Sequence, residues 1–151
     1  EFEYHKPLSE KFAYELGGQL GLMPYDADDT GLAERFHAGG VNSIRGFDVR
    51  GIGPVDPVES GLRTGGSTLT SLQNEIRYAV SEDIDIPIFF DVATLEDQVL
   101  NLGPLRATTG IGLRVRLPDS NQRAYIYYAE HLLAESTDDD RSVHFGFKFD
   151  L

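Results

Sequence analysis

Arg45 is the residue whose type and surroundings point most clearly to a chemical role. It follows an aliphatic residue and precedes Gly46 and Phe47, and the pair Gly39 and Gly40 lies just upstream. Because glycine adopts backbone conformations that other residues avoid, this spacing predicts a folded loop tip that aims one guanidinium. A guanidinium is a fixed positive charge that only donates hydrogen bonds, so the chemistry it could do is the binding of an anionic partner. On these residues alone, however, a loop arginine in a solvated turn is the favoured interpretation.

The usual catalytic and metal-binding patterns do not occur in this sequence. The chain has no Cys, no Gly-x-Ser-x-Gly motif and no phosphate-binding Gly-Lys-Ser/Thr motif, so we predict no catalytic residues, no metal and no cofactor. The acidic clusters at 26–29 and 138–140 lack a complete calcium-binding pattern, which favours solvated loops. We expect ordinary polar positions for the four histidines: His5, His37, His131 and His144.

The net charge argues against nucleic acid as a partner. Lys and Arg number 13 and Asp and Glu number 25, which gives a net charge of −12. A surface of this charge repels a phosphate backbone.

A period of two residues predicts an all-β protein. At the C-terminus the apolar and polar residues fall on opposite faces of a strand. The apolar face carries Val143, Phe145, Phe147, Phe149 and Leu151, and the polar face carries His144, Gly146, Lys148 and Asp150. The same alternation over 12–22, 71–80, 84–93 and 110–117, with strand-like residues at 124–130 and 2–5, predicts six full strands and part of a seventh.

The lengths of the connections favour a transmembrane barrel over a soluble sandwich. Short connections at 6–10, 81–83 and 118–122 alternate with long ones at 24–68, 94–106 and 133–141. Membrane barrels place short turns on one side and long loops on the other, with apolar residues facing lipid and polar residues lining the interior. Bacterial barrels of one chain have at least eight strands, so we expect this chain to be the C-terminal part of a larger barrel that it does not close alone.

Seven short motifs, which occur in order along the chain, resemble those of the BamA/TamA/Sam family of outer-membrane assembly factors, the bacterial surface antigen family. The long loop contributes Phe-x-x-Gly-Gly ending at Gly40, Ile-Arg-Gly-Phe around Arg45, Ile-Gly-Pro at 52–54 and Gly-Gly at 65–66. Downstream stand Asn-Glu-Ile-Arg at 74–77, Phe-Phe-Asp at 89–91 and Gly-Ile-Gly-Leu-Arg at 110–114. The Gly that usually follows the Phe-x-Asp motif is absent here.

The resemblance implies a fold and a role for Arg45. Residues 1–151 would be the C-terminal part of an antiparallel 16-stranded barrel, about seven strands, with upstream strands and periplasmic repeat domains outside this chain. Loop 24–68 would fold back into the lumen, where Arg45 would pair with Glu75 and Asp91 on the inner wall. The planar fork of an arginine suits carboxylates in a way that lysine does not.

The resemblance also implies a function and partners. The protein would be a component of an outer-membrane machine, not an enzyme, that folds and inserts barrel proteins through a lateral seam. Its partners would be outer-membrane lipids, unfolded outer-membrane protein clients, the rest of its own chain and, in some systems, accessory lipoproteins. Two alternatives stay open: the pore of a two-partner secretion or patatin-type autotransporter system, and a soluble all-β binding domain.

The last strand resembles the terminal signal of outer-membrane proteins. The pattern is polar, glycine, apolar, apolar, at His144, Gly146, Phe149 and Leu151. An unpaired strand of this kind can be recognised by strand addition, in which backbone hydrogen bonds give affinity and alternate side chains give selectivity.

Overall fold

Seven antiparallel strands form one sheet, and their order in the sheet is their order in the chain. The computed structural model describes residues 1–29, 31–58, 61–118 and 121–149, without the side chains of Asp28 and Phe149. The strands are β1 (Phe2–Pro7), β2 (Phe12–Leu22), β3 (Thr68–Ala79), β4 (Ile84–Glu96), β5 (Arg106–Arg116), β6 (Gln122–Leu133) and β7 (Val143–Phe149), and a short 3-10 helix covers Ala27–Asp29. The predicted all-β fold of six full strands and a partial seventh is confirmed.

The sheet is open in this chain. Each strand pairs only with its neighbours in sequence, so β1 and β7 form its two edges among the described residues. None of the helical segments in the described part of the chain has the length and apolar character needed to cross a lipid bilayer.

The register of the strands aligns apolar side chains into rows on one face. One such row crosses six strands through Tyr14, Ile76, Ile88, Ile111, Tyr128 and Val143. Five of these six side chains are exposed, and Tyr14 is half-buried. Phe145 and Phe147 of β7 are 77% and 67% exposed on the same face. The apolar rows therefore do not meet in a dry centre, as a soluble sandwich would require, and they form the outer face of the sheet.

The connections follow the predicted rhythm. Residues 8–11, 80–83 and 117–121 join strands at one end, and residues 23–67, 97–105 and 134–142 join them at the other. Because the strands are antiparallel, the three long loops share one end of the sheet.

The long loop 23–67 lies against the inner face and brings its own apolar core. Four loop residues pack on three strand residues near the long-loop end, and all seven are at least 95% buried: Ala38, Ile44, Phe47, Ile52, Leu69, Ala93 and Leu95. The alternation of residues predicted a polar inner face, and the family resemblance implied that the loop folds back into the lumen. The prediction of a polar face is wrong at this end, because the loop packs apolar side chains of its own tip against the strands.

The exposed outer rows generate a first prediction. Replacing Ile88, 58% exposed in the middle of its row, by Arg should lower the free energy of unfolding of the full-length protein in lipid vesicles by about 2–4 kcal/mol, the cost of a cation facing hydrocarbon near the bilayer centre. Val58→Arg, at an 89% exposed loop position, is the control and should change it by less than about 0.5 kcal/mol. Equal effects of the two substitutions would contradict exposure to lipid.

Candidate functional site

A tight turn in the long loop presents Arg45 to the inner face of the sheet. The Gly40 N–H donates to the Phe47 carbonyl at 3.1 Å, and the Ile44 N–H donates to the Gly40 carbonyl at 3.1 Å. Gly46 has φ +100°, and a Cβ there would lie 2.9 Å from the Thr108 Cγ2 of β5. Both the backbone conformation and the close approach to the wall therefore require glycine at this position.

Arg45 is tied to two carboxylates of the inner wall. Its Nε and Nη2 donate to the two carboxylate oxygens of Asp91 at 2.8 Å each, and its Nη1 donates to Glu75 Oε2 at 2.6 Å. The Arg45 backbone N–H adds a bond of 3.1 Å to Asp91. All three residues are buried: Arg45 is 4% exposed, Glu75 7% and Asp91 0%. The structure thus brings together the arginine and the two acids that the family resemblance paired.

Two aromatic rings and a threonine complete the surroundings of Arg45. The guanidinium carbon lies 3.7 Å from the centre of the Phe89 ring and 5.2 Å from that of Tyr127, distances at which a cation and a ring face attract each other. The Thr108 hydroxyl donates to the Arg45 carbonyl at 2.7 Å. The side chain of Arg45 is therefore held by charge at its edge and by rings at its face.

The ion pairs continue along the inner wall from Glu75. The other carboxylate oxygen of Glu75 accepts a hydrogen bond from Arg114, whose Nε donates to Asp85 at 2.7 Å. Asp85 also accepts from Arg123. Positive and negative groups thus alternate from the loop tip through β3, β5, β4 and β6. Glu75 and Asp85 each lie between two arginines, and Asp91 is bound through both oxygens by Arg45.

The electrostatics keep Arg45 charged. Burial alone would lower the pKa of Arg45, but its hydrogen bonds to Asp91 and the charges of Asp91 and Glu75 raise that pKa above its ordinary value. Three of its donor groups are occupied by two carboxylates, so the arrangement fixes a geometry and offers no proton for transfer near neutral pH. Within the described residues no group of three or more His, Cys, Asp and Glu side chains could hold a metal ion.

The remaining motif residues of the loop shape the turn. Gly39 donates its N–H to the Ser43 hydroxyl at 3.4 Å, Gly40 forms an isolated β-bridge with Ile44, and Phe47 is fully buried in the apolar core. The turn that these residues form therefore supports the position of Arg45.

The residues of the terminal signal are only partly described. His144 and Gly146 lie on the inner face of β7, and Phe149 pairs through its backbone with Gln122, whereas Leu151 lies outside the described residues. A Cβ on Gly146 would meet the Tyr125 hydroxyl oxygen at 2.6 Å, so this glycine makes room for a tyrosine ring of β6.

Two histidines depart from the ordinary polar role expected of them. The His144 Nε2 accepts a hydrogen bond from the Gly46 N–H at 3.0 Å, and His144 is 7% exposed. The His131 Nε2 contacts the Gly46 carbonyl, and its ring packs edge-on against Phe47 at 4.8 Å between centres. No pattern in the sequence predicted these contacts, because they form only when the loop folds onto β6 and β7.

The family motifs included Phe89 and Arg114, but no contact of these two residues at the Arg45 site was predicted, and Tyr127 and Thr108 were not singled out at all. The sequence did contain one indication of space for large side chains: Gly110 and Gly112 lie on the inner side of β5, and Ile111 between them lies on the outer side. A Cβ on Gly110 would meet the Phe89 ring at 2.4 Å, and one on Gly112 would meet the Tyr127 ring at 2.2 Å. These glycines leave space for the two rings that flank Arg45.

Comparison with known proteins gives relatives along most of the chain. The chain is 33% identical over 100 residues to the outer membrane protein assembly factor BamA of Nitratidesulfovibrio vulgaris, and this match covers 63% of the chain and 12% of that protein. It is 30% identical over 135 residues to BamA of Neorickettsia risticii, covering 83% of the chain and 18% of that protein. The chain thus spans less than a fifth of the length of these relatives.

A solved structure has the same fold. The crystal structure of BamA from Haemophilus ducreyi lacking POTRA domains 1–3 superposes with a TM-score of 0.78 at 19% identity, over 97% of this chain and 33% of that one. The family resemblance implied an outer membrane, bacterial in preference to organellar, and these bacterial relatives confirm the bacterial outer membrane. The model of the Omp85 superfamily domain matches residues 1–149, so the chain belongs to the Omp85 superfamily.

Proposed function

We propose that this chain is the C-terminal barrel portion of an outer-membrane protein assembly factor, in which the Arg45 loop braces the barrel wall. The observation that carries the brace is the buried contact of Arg45 with Asp91 and Glu75, which joins the loop tip to β4 and β3. Removing one partner of such a buried pair leaves an uncompensated charge, so the loop and the wall stabilise each other's position.

The outer face supports the membrane part of this proposal. Its rows of Ile, Leu, Phe and Tyr side chains are exposed in the chain itself and suit contact with hydrocarbon. An open sheet in lipid would leave unpaired backbone groups at β1 and β7. Strands outside residues 1–151 would therefore complete the barrel, and periplasmic repeat domains of the same protein would precede it.

The proposed mechanism uses strand pairing and needs no catalytic residue, nucleotide or cofactor. The outer edge of β7 would meet the first strand of the complete barrel in a seam. When this seam opens, the strand of an unfolded outer-membrane protein adds to the exposed edge through backbone hydrogen bonds. The lipids beside the seam, the unfolded clients and, where present, accessory lipoproteins are the partners of this step.

Assembly is favoured over secretion by the names of the relatives. Both BamA proteins are outer membrane protein assembly factors, and neither name refers to export of a passenger. We therefore propose that the substrates are unfolded barrel proteins rather than exported ones.

Reconstitution tests this function. The full-length protein in lipid vesicles should speed the folding of an added unfolded barrel protein at least tenfold over empty vesicles, measured by the heat-modifiable gel mobility of the client. Arg45→Ala should remove most of that acceleration, because the wall loses its brace. Arg50→Ala, at an exposed arginine of the same loop, should leave it intact. Client folding no faster than in empty vesicles would reject the assembly role.

The brace also has a stability consequence. Arg45→Ala should lower the free energy of unfolding of the full-length protein by about 3–5 kcal/mol, since the buried Asp91 loses its cation and Glu75 keeps only its contact with Arg114. Arg45→Lys should recover only part of this loss, because an ammonium lacks the planar fork that binds both oxygens of Asp91. Urea unfolding in vesicles measures all three proteins, and full stability of Arg45→Ala would rule out the brace.

A further inference from the structure

The long loop also contacts the segment that leads into the terminal strand. Phe47 forms an antiparallel bridge with Asp140. On either side of it, the Asp48 N–H donates to the Asp139 carbonyl and the Arg141 N–H donates to the Gly46 carbonyl, both at 2.8 Å. Residues 46–51 of the long loop and residues 138–144 therefore pair as two short antiparallel segments. We call this pairing the latch.

Ion pairs hold both sides of the latch. Arg63 of the long loop donates to the Asp139 carboxylate at 2.8 Å and to the Thr137 carbonyl. Arg106 of β5 binds both carboxylate oxygens of Asp138 at 3.0 and 3.1 Å, with both side chains at least 96% buried. The segment before β7 is therefore fixed to the loop on one side and to the wall on the other.

The latch reaches the terminal strand itself through His144. Its Nε2 accepts the N–H of Gly46, the residue next to Arg45, across 98 positions of sequence. This bond requires Nε2 to be unprotonated, so the neutral ring carries its hydrogen on Nδ1. The same peptide that presents Arg45 to Asp91 thus also holds the second residue of β7.

We propose that His144 is a positioning residue that couples the Arg45 loop to the terminal strand, so that β7 separates from its neighbours only when the latch releases. The inference rests on the proposed assembly function for its purpose, since β7 is the strand at the proposed seam. In the described residues β7 pairs with β6 along one edge only. The latch adds a second attachment at the end of β7 where the long loops lie.

Hydrogen–deuterium exchange of the full-length protein in lipid nanodiscs tests the coupling. His144→Leu removes the acceptor, so exchange in peptides covering 40–51 and 143–149 should quicken roughly three- to tenfold, the effect of one lost hydrogen bond on local opening. His144→Gln keeps an acceptor at the position of Nε2 and should exchange at the wild-type rate. Lys148→Gln, exposed on the same face of β7, is the matched control and should also match wild type.

A second substitution covers the case in which His144→Leu does not fold. Asp139 is 60% exposed at its side chain, so Asp139→Asn removes the pair with Arg63 without opening the core. It should quicken exchange in the same two peptides and leave β3 and β4 unchanged. Wild-type exchange at 143–149 in both His144→Leu and Asp139→Asn would overturn the proposal, as would equal quickening in His144→Leu and His144→Gln.

The exchange result stands apart from the assembly assay. Quickened exchange with no client folding by the wild-type protein would reject the proposed function and keep the latch. Unchanged exchange in a protein that folds clients would reject the latch and keep the function.

Discussion

A guanidinium buried away from water needs its counter-charges in place, and this requirement organises the inner side of the sheet. Arg45 meets it with two hydrogen bonds to Asp91 and one to Glu75. Those acids lie on neighbouring strands, β4 and β3, so one loop residue fixes the relation between the loop and two strands of the wall. The loop cannot withdraw without leaving the buried Asp91 carboxylate without its cation and Glu75 with Arg114 alone, which is costly.

The charged groups around this contact alternate in sign, and apolar side chains pack beside it at the end of the sheet where the long loops lie. Arg45, Arg114 and Arg123 alternate with Asp91, Glu75 and Asp85, giving three positive and three negative groups. On the side of the long loops, Ile44 and Phe47, the neighbours of the Arg45–Gly46 pair, enter the apolar core. The Ile-Arg-Gly-Phe motif therefore combines an ionic contact, a glycine that permits close approach, and two apolar anchors that flank them.

The sequence predicted the strands and their faces because a period of two is a local pattern that each strand carries by itself. It also predicted Glu75 and Asp91 as partners of Arg45, through the resemblance of motifs. It did not predict the contacts of Phe89, Tyr127 and Arg114 at the Arg45 site, nor the contact of His144 with Gly46. Those contacts depend on the register between strands, and a shift of one residue would turn each side chain to the other face. The apolar core of the loop was missed for a related reason, since an irregular loop has no period from which a buried side can be read.

The central claim is that Arg45 and Asp91 stabilise each other inside the folded protein, and a double-mutant cycle measures this most directly. Unfolding free energies in lipid vesicles would be compared for the wild type, Arg45→Met, Asp91→Asn and the double variant of the full-length protein. We predict that the double variant loses less stability than the two single variants together, by a coupling on the order of 2 kcal/mol, because the second substitution removes a charge that the first has already left unpaired. Additive losses would mean that the two side chains do not depend on each other, which contradicts this account.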